Sequence, residues 1–341
     1  MKKKTVIPII VVLVVLIAVG GWYFGYKIPH DRELARQAEE LRQQKITEYQ
    51  EAYSEYAVAV QNYNTEVDQY NLTVESYNGA VEEFSAFLKS IDDSNILHED
   101  AYDIETINNL LKAKSDAEAS LPSAYTLKEP YTVEEAKQFV LEDTSEIISS
   151  AASELSEKSK VIAEDTSKLS SESSSISIPD FSSDIESIQE KWNIASDSVK
   201  IQKQITNPAE AFVISRLFQI EEITEIEAAT EDNDPNGNLN KAGGYTAAIY
   251  FRSSNVDTSR LLHPDDLIEE GTTSGGQVEV YATKEDAEKR NAYLAGFDGS
   301  ILSSGSHTVL GTMVIRTSDY LTASQQKALE AAIIAALIET E

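Results

Sequence analysis

The chain has 341 residues, 58 acidic against 28 basic, a formal net charge of −30, and no cysteine. A surface of that sign repels phosphate backbones and anionic headgroups, so nucleic acid is excluded as a partner and the exposed part should stand off a lipid surface. Without cysteine there are no disulfides, thiolate zinc sites, Fe–S clusters, cysteine nucleophiles or acylated lipoprotein cysteine.

Lys2, Lys3 and Lys4 precede an uncharged run from Thr5 to Tyr26, nearly all Val, Ile and Leu at its centre apart from Pro8. A helix of that length crosses a hydrocarbon core of about 30 Å. Trp22, Tyr23, Phe24 and Tyr26 come next as an aromatic belt, which favours a retained anchor over a signal peptide cut near Ala18-Val19-Gly20. Lys27, Arg32 and Arg36 lie beyond the run, but they are dispersed among acids, whereas the three lysines are contiguous. The expectation is a cytoplasmic N-terminus, a single-pass anchor in the cell membrane, and an extracellular body.

From Ile46 the apolar positions alternate by three and four: Ile46, Tyr49, Tyr53, Tyr56, Val60, Tyr63, Val67, Tyr70, Val74, Tyr77, Val81, Phe84, Leu88 and Ile91. That heptad pattern predicts one long helix, from about 30 to 91, with a coiled-coil seam. The dipeptide Tyr-Asn recurs at 63–64, 70–71 and 77–78. Tyrosine is too bulky for a tight two-stranded seam and its hydroxyl needs a partner; a packing row is one reading, a platform for glycans or polyproline the other. Asp92 to Asn95 signals a turn, and a helix over about 101–120 is ended by Pro122. Thr132 with Glu135 has capping-box spacing and predicts a long helix to about Ser173, Ser-rich on its outer face. A last helix over about 183–205 comes after Pro179. These helices either fold into an intramolecular bundle or pair between chains through the Tyr/Val seam as a homo-oligomer. The sequon Asn71-Leu72-Thr73 falls inside the long helix and is read as incidental.

After Pro208 the pattern becomes short β-rich runs and turn glycines. Helix 208–220, strands near 223–230, 245–252, 277–282 and 308–315, a helix opened by Thr283 with Asp286, and a C-terminal helix capped by Thr322 with Gln325 compose a small α/β (α+β) sandwich. The division is thus 1–27 cytoplasmic tip and transmembrane anchor, 28–205 helical stalk, and 206–341 C-terminal α/β domain. Within the latter, Asp232, Asp234, Asn236 and Asn240, with Gly237 and Leu239, copy the first nine positions of an EF-hand-type calcium loop, where alternate oxygens turn inward on a hard cation. The twelfth position is Gly243 in place of the bidentate Glu, and a polar turn is the competing reading. The histidines, His30, His98, His263 and His307, fit no metal spacing. Ser304-Gly305-Ser306-His307 could pair a serine with a base but lacks a nucleophile-elbow pattern.

Several segments of this domain carry a resemblance: Thr230 to Gly237, Gly243 to Thr246 with Ile249 to Phe251, Val278 to Tyr281 with Glu285 to Ala287, Tyr293-Leu294, Phe297 to Gly299, Gly305 to His307, Arg316 to Ser318, and Leu321-Thr322 with Gln325-Gln326. Together they resemble an extracytoplasmic α/β domain of N-terminally anchored Gram-positive envelope proteins. The resemblance covers roughly the last 135 residues and implies location and fold, with no established activity.

The function expected is therefore a non-enzymatic, surface-exposed envelope protein that displays a C-terminal binding module for an envelope protein or glycan. An anchored hydrolase and a purely structural oligomerising stalk are the alternatives.

Overall fold

In the computed structural model, residues 6–300 and 305–340 are described. Lys2, Lys3, Lys4 and Ser304 lie outside them. Packing divides the chain into two units, Met1–Glu82 with Pro122–Asp180 and Glu83–Leu121 with Phe181–Glu341.

The first unit opens on helix α1 (Val6–Trp22), continues through a π-turn at Tyr23–Lys27, and runs on as α2 (Ile28–Asp93). The α1 side chains from Val12 onward are exposed. One helix among the described residues is long and apolar enough to cross a membrane. Pro29 explains the π-turn: its ring has no N–H and crowds the carbonyl four residues back, so the backbone widens and Ile28 N donates to Tyr23 O, five residues back. Lys27 Nζ lies 5.9 and 5.6 Å from the Trp22 and Tyr23 ring centroids.

Residues 132–143 are not helical, contrary to the capping-box expectation. Helix α4 starts twelve residues later, at Ser145, and ends at Ser175, with Thr144 as the cap that accepts from Ile147 N. Residues 122–140 form an extended strap without helix or strand. Pro122 and Pro130 bar helix at its start. Farther along, Val133 to Leu141 are mostly helix formers, and tertiary bonds to α2 override their propensity. The α4 residues Ile148, Ala151, Leu155, Ile162 and Leu169 bury against the Val and Tyr rows of α2, where Val60, Val67 and Val74 are at most 1% exposed. The α4 serines satisfy themselves by donating to carbonyls four residues back, as Ser153 to Ser149 and Ser167 to Ala163.

In the second unit the end of α2, α3 (Ile104–Ser120) and α5 (Ser182–Gln204) enclose Phe84, Leu88, Ile107, Leu110, Ile188 and Ala195. Asn95, at φ 57°, ends α2 in the left-handed region that asparagine tolerates. Helix α5 is bonded to the C-terminal domain: Gln204 Nε2 donates to the carbonyls of Leu337 (2.7 Å) and Glu339 (3.0 Å), and Thr312 N to Ile205 O (3.0 Å).

That domain comprises α6 (Glu210–Leu217), β1 (Ile223–Ala228), β2 (Tyr245–Ser253), α7 (Leu267–Glu270), β3 (Gly275–Tyr281), α8 (Lys284–Ala295), β4 (His307–Leu310), β5 (Met313–Thr317) and α9 (Ala323–Ile338). The sheet has five strands, all antiparallel, in the order β1-β2-β3-β5-β4. The fifth arises because the run expected as one strand, 308–315, is a hairpin. Gly311 turns it at φ 58°, and a Cβ there would sit 2.2 Å from Ile205 O. The capping box of Thr322 and Gln325 opens α9 as expected.

Helices α6 and α9 cover one face of the sheet over Ile249, Phe251, Val278, Val280, Met313 and Ile315. Helices α7 and α8 and the β1–β2 loop cover the other over Tyr245, Ala248, Tyr250, Tyr281 and Val314. A bulge between Tyr245 and Ala247 lets Tyr245 share that second face with Ala248 and Tyr250.

Candidate functional site

The second sheet face carries the chemistry. Alternation along β3 sends Val278 and Val280 to the apolar face and Gln277, Glu279 and Tyr281 to this one. Glu279 is fully buried and receives four donors. Arg290 Nε and Nη2 of α8 each lie 2.8 Å from its oxygens, Arg316 Nη1 of β5 lies 3.2 Å away, and the Tyr281 hydroxyl 2.7 Å. Burial alone would lower the pKa of Arg290, but Glu279 outweighs it and the net shift is upward. Burial, then the Glu279 charge, pushes the Tyr281 and Tyr250 phenols far up, so both are neutral across the physiological range. These four donors fill the Glu279 carboxylate and tie α8 to the sheet as an ionic lock, leaving that carboxylate no lone pair for proton transfer.

The loop expected as a calcium site lies on the same face. Asp234 turns its carboxylate inward: Oδ2 accepts from Asn238 N (2.6 Å) and Leu239 N (2.9 Å), and Oδ1 from Asn236 N (3.1 Å) and the Tyr245 hydroxyl. Burial would raise its pKa, but the Tyr245 hydroxyl and the three amides hold it below the usual carboxylate range. Asn236 donates toward the Tyr245 hydroxyl at 3.4 Å, Asn240 donates to Glu231 Oε1 at 2.8 Å, and Asp232 is exposed. Leu239, the hydrophobic position of the motif, enters the core below. The alternation the motif needs is present, but the loop's own N–H groups and Tyr245 occupy the place a cation would take at Asp234. Among the described residues no group of three or more His, Asp or Glu is gathered as metal ligands are.

Beside this loop lies a cleft of about 500 Å³ lined by Glu227 of β1, Asn233 and Pro235 of the loop, and Asp265, Asp266, Ile268 and Glu269 around α7. Asp266 caps α7 by accepting from Glu269 N at 2.9 Å, and His263 Nδ1 stands 3.5 Å from Glu269 Oε1. Four carboxylates and no cation line the wall, so the cleft favours a positively charged group. Sequence reasoning missed it because Glu227 and the 265–269 segment are far apart in the chain, and acids are too abundant for a cluster to stand out.

Ser306 and His307 do not pair with each other. Ser306 Oγ lies 2.7 Å from Thr317 Oγ1 and donates to Glu330 at 3.2 Å, while the His307 ring meets Asn291 Oδ1 (2.6 Å) and Asp298 Oδ1 (3.3 Å). Gly275 and Gly276 lie inside β3, where a Cβ on Gly276 would sit 2.3 Å from the Phe251 ring, so they serve packing. No family model matches the chain, and comparison with curated proteins and with solved structures yields no match.

Proposed function

We propose that this chain is a single-pass membrane protein of the cell envelope, N-terminus cytoplasmic and body extracellular, whose C-terminal domain is a non-enzymatic binding module for an envelope protein or glycan. The observation that carries the reading is the continuity of its N-terminal half. An apolar helix of spanning length passes, through one π-turn, into the 66-residue α2 without a break in helix. At 1.5 Å per residue α2 is about 100 Å long, and a spacer of that length suits display better than solution chemistry. The carboxylate-lined cleft supplies a recognition surface, and amine-bearing envelope material is the ligand class its charge favours.

Two experiments test this. Protease applied to intact cells should remove the C-terminal domain and spare a membrane-retained N-terminal fragment; a fully protected body would contradict the topology. Crosslinking pull-down with the full chain, in calcium-containing buffer, should enrich a discrete envelope component. That enrichment should fall when Glu227, Asp265 and Glu269 are replaced by their amides. Equal capture by wild type and triple variant would remove the cleft from the reading.

A further inference from the structure

The strap is held in a regular register. Asn78 grips the backbone of Tyr125 in both directions, its amide donating to the carbonyl (2.9 Å) and its oxygen accepting the N–H (3.0 Å). Asn71 grips Lys128 the same way (3.0 and 2.9 Å), and Asn64 grips Tyr131 (2.9 and 2.8 Å). The series continues without asparagine. Glu134 is held between the Tyr56 and Tyr53 hydroxyls, Lys137 N donates to the Tyr49 hydroxyl (2.7 Å), and Arg42 donates to Val140 O (2.7 Å). Each step of three along the strap matches about seven back along α2. Three residues is the turn of a polyproline II helix, about 9.3 Å, close to the ~10.5 Å of seven α-helical residues.

The hold is polar and shallow. None of residues 122–140 is buried, whereas Tyr56, Tyr70 and Tyr77 beneath them are. Rings complete the rungs: Tyr63 with Tyr131 at 4.4 Å, Tyr77 with Tyr125 at 4.8 Å, and the Lys128 ammonium 5.5 Å over Tyr70. A segment with few buried apolar contacts and exposed hydrogen bonds opens before the helices it lies on. When it opens, α2 presents a row of tyrosines and asparagine amides spaced for an extended chain.

We propose that this face of α2 is a binding site for extended polypeptide, that the strap is its resident occupant, and that the strap of a second copy can take its place. A second copy is the committed partner because its strap is the one sequence already seen to satisfy every rung. Copies anchored in one membrane, on the function proposed above, also meet in parallel at high effective concentration. The connecting residues on either side of the ladder, 121–124 and 141–144, each reach about 13 Å when extended, and neighbouring helix axes pack about 8–10 Å apart. Exchange of this kind is a low-cost route to dimers.

The native chain has no cysteine, which makes the test clean. Ala57 occupies the α2 position one heptad before Asn64, level with Glu134 in the register. Full-length Ala57→Cys and full-length Glu134→Cys are placed together in nanodiscs and treated with a short bismaleimide. The double variant A57C/E134C in a single chain shows that the pair is within reach. A covalent dimer joining one Ala57→Cys chain to one Glu134→Cys chain, growing with copies per disc, is the expected result. Complete internal linkage of the double variant with no linkage between the single variants would overturn exchange. If instead an unrelated proline-rich peptide, but not the synthetic 121–140 segment, displaces the strap, the face binds extended chains but the second-copy assignment fails.

Discussion

The two strap-bearing helices of the first unit and the five-stranded domain of the second solve the same problem, pairing the polar groups of an extended backbone, by different means. In the domain the strands bond to one another, with apolar residues on both sheet faces and one buried ionic cluster among them. Along α2 the strap has no sister strand; side chains of a helix stand in for one, through three asparagines, four tyrosines and Arg42. The first arrangement concentrates stability in few buried positions, and the second spreads it over many shallow ones. Replacing one residue should therefore be severe in the domain and local in the strap.

The largest effect is expected at Glu279. Glu279→Ala leaves two arginines facing a buried space, and breaking a buried pair in this way costs about 3–5 kcal/mol. The loss should appear as a lowered denaturation midpoint of the C-terminal domain, tracked by the near-UV signal of its tyrosines. An unchanged midpoint would mean the cluster is open to water.

Next comes Asp234. Asp234→Asn removes a charged acceptor of several donors, and hydrogen bonds to charged groups contribute about 1.5–3 kcal/mol. Because its folded pKa lies below the unfolded value of about 3.9, the stabilisation is present above that value and lost as pH falls through the folded pKa. Wild type should accordingly lose stability more steeply than Asp234→Asn as pH is lowered through the carboxylate range. If the loop were a calcium site instead, millimolar calcium would raise the midpoint of wild type and not of the variant; the geometry predicts no such difference.

Most helix and strand positions and the caps at Thr283 and Thr322 were legible in the sequence because they rest on local periodicity and short hydrogen bonds; the start of α4 and the β4–β5 hairpin were not. The Tyr-Asn repeat was legible as a repeat, and the tyrosine hydroxyls as groups in need of partners. What could not be read was the partner, since Asn64 and Tyr131 lie 67 residues apart and helix propensity favours helix over 133–141. The same distance effect hid the ionic cluster: Gln277, Glu279 and Tyr281 alternate visibly, but Arg316 comes from 37 residues beyond Glu279. The Gly311 hairpin turn was missed for a different reason, because a two-residue connection inside an apolar run leaves the alternation almost undisturbed.

A smaller effect is expected at the strap's outer ion pairs, where Lys158 meets Glu134 at 2.8 Å and Lys137 meets Glu154 at 3.7 Å. Lys158 is half-buried, its partner and the other pair are largely exposed, and surface pairs of that kind contribute roughly 0–1 kcal/mol. Lys137→Ala should shift strap opening only slightly, and less still at high salt.

Amide hydrogen exchange on three single variants reads out whether α2 side chains hold the strap. Asn78→Ala, Asn71→Ala and Asn64→Ala each remove one rung of about 1–2 kcal/mol from its two hydrogen bonds. The 3:7 register predicts that protection falls first at Tyr125, Lys128 and Tyr131 respectively, with α2 and α4 amides unchanged. Equal loss at all three amides in every variant, or protection that ignores the substitutions, would contradict it.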